Sequence, residues 1–421
     1  MQRGNSFQGV LAEFNSISVD KFNTGASTFL LTHFHADHLA GLDAKSFCKK
    51  VYCTPTTRAL LALNPAYHHI LLYVIPLDYG KHSISVNGLP IELTLIQSYH
   101  CPGSTMFLVE DKVKAVLITG DIRAESWWVQ GLAKNPYLFQ YTTGLKVLAN
   151  IYLDTTFSYR GEPYIEMSDN NDGINGVIQM LRSYPQDDEE IQFFFMDTTS
   201  GFEEAWAKIV PLFLGSLTLG ADLRARISAL CQQNDSSAQI LSQSIGKTHY
   251  PRFHVIAKAG NHKPNFAVTI KQCIDFNISD MAGILFPIPV NSLTETERAT
   301  LRLVHSTAKG NEIYRFKNRL WILPKGGSEY LPKEIKLVFS RHLSFSESRK
   351  LVSLFRPKEV YPCCESKTTW LSGFSVERIF GDLCISREFK YDLMMFNKFG
   401  RPSLQIQERP VMTINRWSFE E

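Results

Sequence analysis

The segment Thr32-His33-Phe34-His35-Ala36-Asp37-His38 puts three imidazoles and a carboxylate within six residues, directly after an apolar run and before Gly41. In an extended chain side chains alternate, so His33 and His35 project to one face and can reach one metal ion. If the chain then turns, Asp37 and His38 can face a second ion. Imidazole and carboxylate are donors that zinc accepts at roughly 2.0–2.2 Å. A polar loop at a strand end would seldom concentrate four ligand-type residues in this way. Further donors follow the next apolar runs: His100 in Ser98-Tyr99-His100-Cys101-Pro102-Gly103-Ser104, and Asp121 in Thr119-Gly120-Asp121-Ile122-Arg123. Alone, a His before Pro-Gly or an Asp in a turn reads as local capping. Beside the four residues of the first cluster, both read as ligands of a dinuclear site.

These side chains need strand ends to hold them, and short β-rich runs recur along this part of the chain. They lie at Ser16–Asp20, Thr28–Thr32, Val51–Thr54, Ile91–Gln97, Thr105–Glu110, Ala115–Thr119 and Ile151–Asp154, with one helix expected at Pro55–Leu63. Such density points to a sheet-rich α/β layer structure. Ser158 to Asp188 is polar, and Asn170-Asn171-Asp172-Gly173 has the composition of an exposed turn, which marks a boundary. Beyond it, strands are expected at Ile191–Met196, Phe253–Ala257 and Gly283–Phe286, and a helix from Glu203 that Pro211 interrupts. A polar loop is expected from Ser292 to Glu297. The segment Ile335–Ser340 reads as a buried strand, and Ser344-Phe345-Ser346-Glu347 as a capping box opening a helix to about Phe355.

The chain has 421 residues, 44% hydrophobic and 20% charged, an ordinary globular composition with room for a large core. A formal net charge of +3 neither demands nor excludes a nucleic-acid partner, because phosphate binding needs a local basic surface. Tyr314-Arg315-Phe316-Lys317-Asn318-Arg319-Leu320-Trp321 interleaves cations with aromatics, as backbone-tracking, base-stacking surfaces do. A solvated edge strand reads the same way. Eight cysteines without a C-x-x-C pair speak against a disulfide framework or zinc ribbon and for a reducing compartment. The first residues lack a signal-peptide core, and no apolar run approaches the roughly 20 residues of a membrane span. The expectation is a soluble intracellular protein.

The motifs H-x-H-x-D-H, H-C-P-G-S and T-G-D-x-R, with the runs Leu11–Phe22 and Tyr152-Leu153-Asp154-Thr155-Thr156-Phe157, resemble the β-CASP group of metallo-β-lactamase nucleases. The likeness is greatest to its DNA cross-link-repair branch, dense over residues 7–157 and around 337–349. That resemblance implies an α/β fold, a metallo-β-lactamase αββα sandwich with an inserted β-CASP cap. The sandwich would comprise residues 1–157 and 337–390, the cap 158–336, and a C-terminal tail 391–421. It further implies two zinc ions, the first held by His33, His35 and His100, the second by Asp37 and His38, with Asp121 bridging. Asp20 would be the supporting carboxylate. Asp154 and His342 match two β-CASP motifs, the histidine lying close to the scissile phosphate. Ser340, two residues earlier, could hydrogen-bond a phosphate oxygen, or be an ordinary strand serine.

The implied activity is phosphodiester hydrolysis of DNA in the nucleus. It would be an endonuclease in double-strand-break repair by end joining, with a 5′-exonuclease of interstrand cross-link repair as the alternative and with repair kinase or ligase partners. Phe202 stands where the branch's exonucleases carry a phosphate-pocket lysine. His254-Val255-Ile256 lacks the cysteine of an extra cap zinc site, which leaves His254 as a strand histidine. Cys364 falls where DNA-cleaving members have valine and RNA-cleaving members a metal-binding histidine, and it is expected to pack as a small buried hydrophobe. RNA processing is disfavoured by the missing histidine, and a non-enzymatic scaffold by the intact donor set. A plain lactamase or glyoxalase-like hydrolase lacks the Asp154 and His342 motifs.

Overall fold

The computed structural model describes residues 7–159, 161, 164–213, 216–246, 251–255, 266–274 and 286–403. The chain divides into two compact units, one made of Met1–Glu166 with Arg341–Glu421 and the other of Met167–Ser340.

Among the described residues, the first unit holds two sheets. Ile17–Val19, Thr28–Leu30, Lys50–Cys53 and Val74–Pro76 form a four-stranded, all-parallel sheet. The six-stranded sheet runs Glu359–Pro362, Asn150–Leu153, Ala115–Ile118, Thr105–Glu110, Leu89–Gln97, Gly80–Val86. Period-two alternation sorts their side chains into separate cores. Leu30 joins Leu93, Phe107, Val109, Val116 and Ile118 between the sheets. Its neighbours Phe29 and Leu31 face the other way, with Leu61 of the helix Pro55–Ala62 and with Ile70. Met106, Leu108, Leu117 and Ile151 pack outward on a second helical layer that includes Leu351 and Val352 of Phe345–Phe355. Helix, sheet, sheet and helix therefore stack as an αββα sandwich. The helix Lys390–Phe399 belongs to that outer layer through Tyr391 and Met395, although the sequence suggests only a tail from residue 391.

Strand direction brings the chemistry together. Ala115–Ile118, Asn150–Leu153 and Glu359–Pro362 are mutually parallel, and Leu89–Gln97 runs the same way because two antiparallel pairings separate it from Ala115–Ile118. The loops carrying His100, Asp121, Asp154 and Cys364 thus leave one edge of the sheet, as ligand-bearing loops of α/β sheets do.

In the second unit a parallel sheet runs Leu217–Thr218, Phe253–Val255, Gln192–Phe195, Ala267–Cys273, Glu334–Val338. The helix from Glu203 stops at Ile209 and continues as a tighter turn over Val210–Phe213, where Pro211 removes a donor. Three expectations change here. Asn170–Arg182 is a helix, not an exposed turn: Asn170 is buried, and its side chain brackets the backbone of Ser340 at 2.8 and 2.9 Å. The loop expected at Ser292–Glu297 instead starts the helix Glu295–Thr300, capped reciprocally by Thr294 and Glu297. Tyr314–Trp321 is neither an edge strand nor a stacking platform. It forms an interior hairpin of Glu312–Phe316 and Arg319–Leu323, turned by Lys317 and Asn318 at φ 49° and 60°, with Phe316 and Trp321 in a small core. Of the expected strand Gly283–Phe286 only Phe286 is described, as an exposed bend, and residues 283–285 lie outside the described residues, as do Ile256 and Ala257 of the expected strand Phe253–Ala257.

Close approach explains one glycine. A Cβ at Gly173 would sit 1.8 Å from the Val338 carbonyl oxygen, so the helix Asn170–Arg182 can lie on Glu334–Val338 only with hydrogen there. Gly173→Ala should destabilise the protein by about 1–3 kcal/mol through overpacking, despite alanine's better helix propensity. Urea unfolding checks this, and a gain in stability would contradict the packing.

Candidate metal centre

The centre is assembled from one carboxylate outward. Asp20 ends the strand Ile17–Val19 at φ 53°, a left-handed conformation that aspartate tolerates, with its N–H given to the Leu30 carbonyl at 3.0 Å. Its Oδ1 accepts the Thr32 N–H at 2.8 Å, and its Oδ2 accepts the Thr32 hydroxyl at 2.6 Å and His38 Nδ1 at 2.8 Å. A carboxylate only accepts, which fixes the direction of each bond. His38 therefore carries a proton on Nδ1, which leaves Nε2, 3.2 Å from Asp121, as the nitrogen that a cation would take in place of a second proton. Thr32 has spent its proton on Asp20, so its oxygen accepts from His33 Nδ1 at 2.9 Å, and His33 presents a bare Nε2. His100 reaches the same state by another route, with Nδ1 donating to the Arg341 carbonyl at 2.8 Å.

These nitrogens converge. His33 Nε2 lies 3.0 Å and His100 Nε2 3.1 Å from His35 Nδ1, while Asp121 Oδ2 is 3.7 Å from His33 Nε2 and 3.9 Å from His100 Nε2. Gly120 permits this placement of Asp121: it adopts φ 56°, and a Cβ there would fall 2.8 Å from Thr32 Cβ. Burial, reinforced by the neighbouring histidines, pushes His33 and His100 well below the usual imidazole range, so both are neutral donors. Lone pairs facing one another at such distances fit a cation between them. On the other side of Asp121, His38 Nε2 is 3.7 Å from Asp37. Burial lowers His38, but the carboxylates of Asp121, Asp37 and Asp20 outweigh it and hold the group well above its ordinary value. The donors thus form two overlapping groups, His33/His35/His100/Asp121 and Asp37/His38/Asp121, sharing the expected bridge.

A third group, Asp121/Asp154/Cys364, adjoins them. Asp154 is buried beneath His342, whose Nδ1 lies 2.8 Å from Oδ2, and it also accepts the N–H of Thr156 at 2.9 Å and of Ile122 at 3.2 Å. Although burial opposes ionisation, His342 and Thr156 hold Asp154 down at about 2. Burial likewise opposes charge on His342, but Asp154 and Asp121 raise it.

Every expected ligand, with Asp20, Asp154 and His342, lies in this one cluster of the first unit. Ser340 belongs to the second unit, where its backbone bonds Asn170. Phe202 is buried against Phe339 at 4.8 Å, and His254 stacks on Phe194 at 4.5 Å. Cys364 differs from expectation: it is half-buried rather than enclosed, and its sulfur lies 3.7 Å from Asp154 Oδ1. Burial, then Asp154 and Asp121, push its thiol well up in the absence of a cation. The roles of Thr32 and of the Arg341 carbonyl were not read from the sequence, since threonine is ordinary at a strand end and a backbone oxygen leaves no sequence signal.

No protein-family model matches the chain. Among curated proteins, Protein artemis of Gallus gallus is 32% identical over 378 residues, covering 85% of this chain and 47% of that protein. Protein artemis of Homo sapiens is 31% identical over 198 residues, 42% of this chain and 28% of that protein. The 5′ exonuclease Apollo of Mus musculus is 30% identical over 209 residues, 47% of this chain and 35% of that protein. The chain thus spans about half or less of the length of these relatives. A solved protein of unknown function from Enterococcus faecalis V583 superposes with a TM-score of 0.48 at 14% identity, over 80% of this chain and 75% of that one.

Asp20→Asn tests the tautomer argument. An amide nitrogen in place of Oδ2 would donate to His38 Nδ1 and shift its proton to Nε2, removing the ligand lone pair. Metal affinity should fall about 10–100-fold while circular dichroism stays native. Wild-type affinity in a chelator competition would contradict the assignment.

Proposed function

We propose that this chain, a relative of Artemis and Apollo with a metallo-β-lactamase sandwich, is a zinc-dependent DNA nuclease that hydrolyses phosphodiester bonds. One observation carries the reading: Asp121 is shared between an imidazole triad and the Asp37/His38 pair, the donor arrangement of a two-ion site. Carboxylates gathered this closely would repel a phosphodiester, and bound cations reverse the sign of that field. When bound, two zinc ions supply Lewis acidity that brings the pKa of a water toward neutrality and offsets charge on the phosphoryl oxygens.

The chain's own residues do the rest. His33, His35, His100, Asp37, His38 and Asp121 hold the ions, and Asp20 orients His33 and His38. His342, whose Nδ1 bonds Asp154, is proposed to give a proton to the departing oxygen, and Asp154 favours its charged form for that step. Ser340 is proposed as a phosphate contact and residues 158–336 as a β-CASP cap. An Artemis-like endonuclease acting in the nucleus on double-strand-break ends, with repair kinase or ligase partners, is the favoured setting. The likeness to Apollo keeps a 5′-exonuclease of cross-link repair as the second reading.

His35→Ala or Asp121→Ala should abolish cleavage of DNA with the fold retained, because a lost ligand impairs the ions more than the core. His342→Ala should cut the rate about 10²–10⁴-fold with metal content unchanged. Hairpin DNA, 5′-phosphorylated single strands and matched RNA are the substrates to compare. Full cleavage by either ligand variant would end the metal mechanism.

Phe202 fills its site with a ring that cannot act as a point charge for a terminal phosphate. Removing the 5′-phosphate should change cleavage less than tenfold, about 1.4 kcal/mol in the transition state. A larger loss would favour the exonuclease.

A further inference from the structure

The loops that carry His100 and Asp121 also bring two aromatic rings together beside the centre. Tyr99 immediately precedes His100, and the Arg123 N–H donates to the Tyr99 carbonyl at 2.7 Å, which ties one loop to the other. The second loop runs into the helix Ser126–Ala133, whose first turn holds Trp127 and Trp128. Successive helix positions face different directions, and the two indoles divide accordingly. Trp128 packs on the outer apolar layer that includes Val129 and Leu132, whereas Trp127 is 51% exposed. Exposure has not left Trp127 loose. Its Nε1–H donates to Glu125 Oε2 at 2.6 Å, and its ring stands against Tyr99 with 5.2 Å between centroids and 63° between planes. Glu125 is buried with Arg123, whose Nε lies 3.8 Å from Glu125 and 3.1 Å from Glu347. Lys350, exposed on the helix Phe345–Phe355, bonds Ser126 Oγ through Nζ at 2.8 Å, one residue from Trp127. Arg123 and Lys350 together balance the charges of Glu125 and Glu347. A fixed, half-exposed aromatic with a cation beside it is the combination that stacks a base and follows a phosphate backbone.

We propose that Trp127, supported by Tyr99, is a stacking platform for an unpaired nucleobase of the DNA strand that enters the metal centre, with Lys350 following the adjoining backbone. The inference rests on the nuclease reading and specifies its substrate. A base inside a duplex has both faces covered by its neighbours and must be unstacked before a protein ring can take one of them. The platform therefore selects DNA with an unpaired nucleotide near the scissile phosphate, as in an overhang or a hairpin loop. Because the indole N–H is spent on Glu125, the contact is made by the ring face, and discrimination among the four bases should be weak.

Two measurements on the full chain with zinc supplied test this. In the His342→Ala background, where cleavage should be slow, adding Trp127→Ala should weaken binding of a fluorescently labelled overhang DNA about tenfold, whereas Trp127→Phe should cost less than about threefold and blunt duplex should bind all three alike. With His342 present, Trp127→Ala should raise KM for the overhang DNA about tenfold and leave kcat within about twofold. Single abasic nucleotides stepped along the cleaved strand should reproduce that loss at one position in wild type and have no further effect there in Trp127→Ala. Unchanged overhang binding in Trp127→Ala, an abasic penalty that persists undiminished in it, or no abasic penalty in wild type would overturn the proposal while leaving the nuclease reading intact. Wild-type protein that cleaves none of these DNAs would overturn both.

Discussion

The carboxylate of Asp20 is the interaction on which the rest of the centre depends. Through Thr32 and directly, it sets which nitrogen of His33 and His38 carries the proton, and so makes both rings donors toward Asp121. The cost is a left-handed aspartate. That strain is local, and the parallel pairing of Ile17–Val19 with Thr28–Leu30 holds Asp20 and Thr32 in register. Without this arrangement the same histidines could orient their N–H groups inward, and proximity alone would not create a metal site.

The sandwich serves the centre through strand direction. Candidate ligands distant in sequence meet because the strands before them end at a common edge, and because both faces of the sheets are buried. His342 comes from the segment that resumes the first unit, and Asp154 receives it with an ion pair whose charges support each other. The field divides the site accordingly. Neutral imidazoles line one side, carboxylates and charged histidines the other, with Asp121 between them.

Much of this was legible from residue order. The donor spacing in His33–His38 reflects an extended strand end followed by a turn, and the strands at Thr105–Glu110 and Ala115–Ile118 announce themselves as unbroken apolar runs. Where reading failed, tertiary context overruled composition. Asn170-Asn171-Asp172-Gly173 looks like a turn, yet it opens a helix because Asn170 satisfies buried backbone groups and Gly173 permits contact with Val338. The aromatics of Tyr314–Trp321 look exposed among their cations, but alternation turns Phe316 and Trp321 into a core. Cys364 resembles a small hydrophobe in sequence, and only the fold shows which side of the strand it faces.

The most direct test of the account is anomalous diffraction at the zinc edge from crystals of the full chain grown with zinc. The account predicts two peaks about 3.5–4 Å apart on either side of Asp121, one within bonding distance of His33, His35 and His100, the other of Asp37 and His38. Full-occupancy zinc bound elsewhere, with these donors left bare, would contradict it.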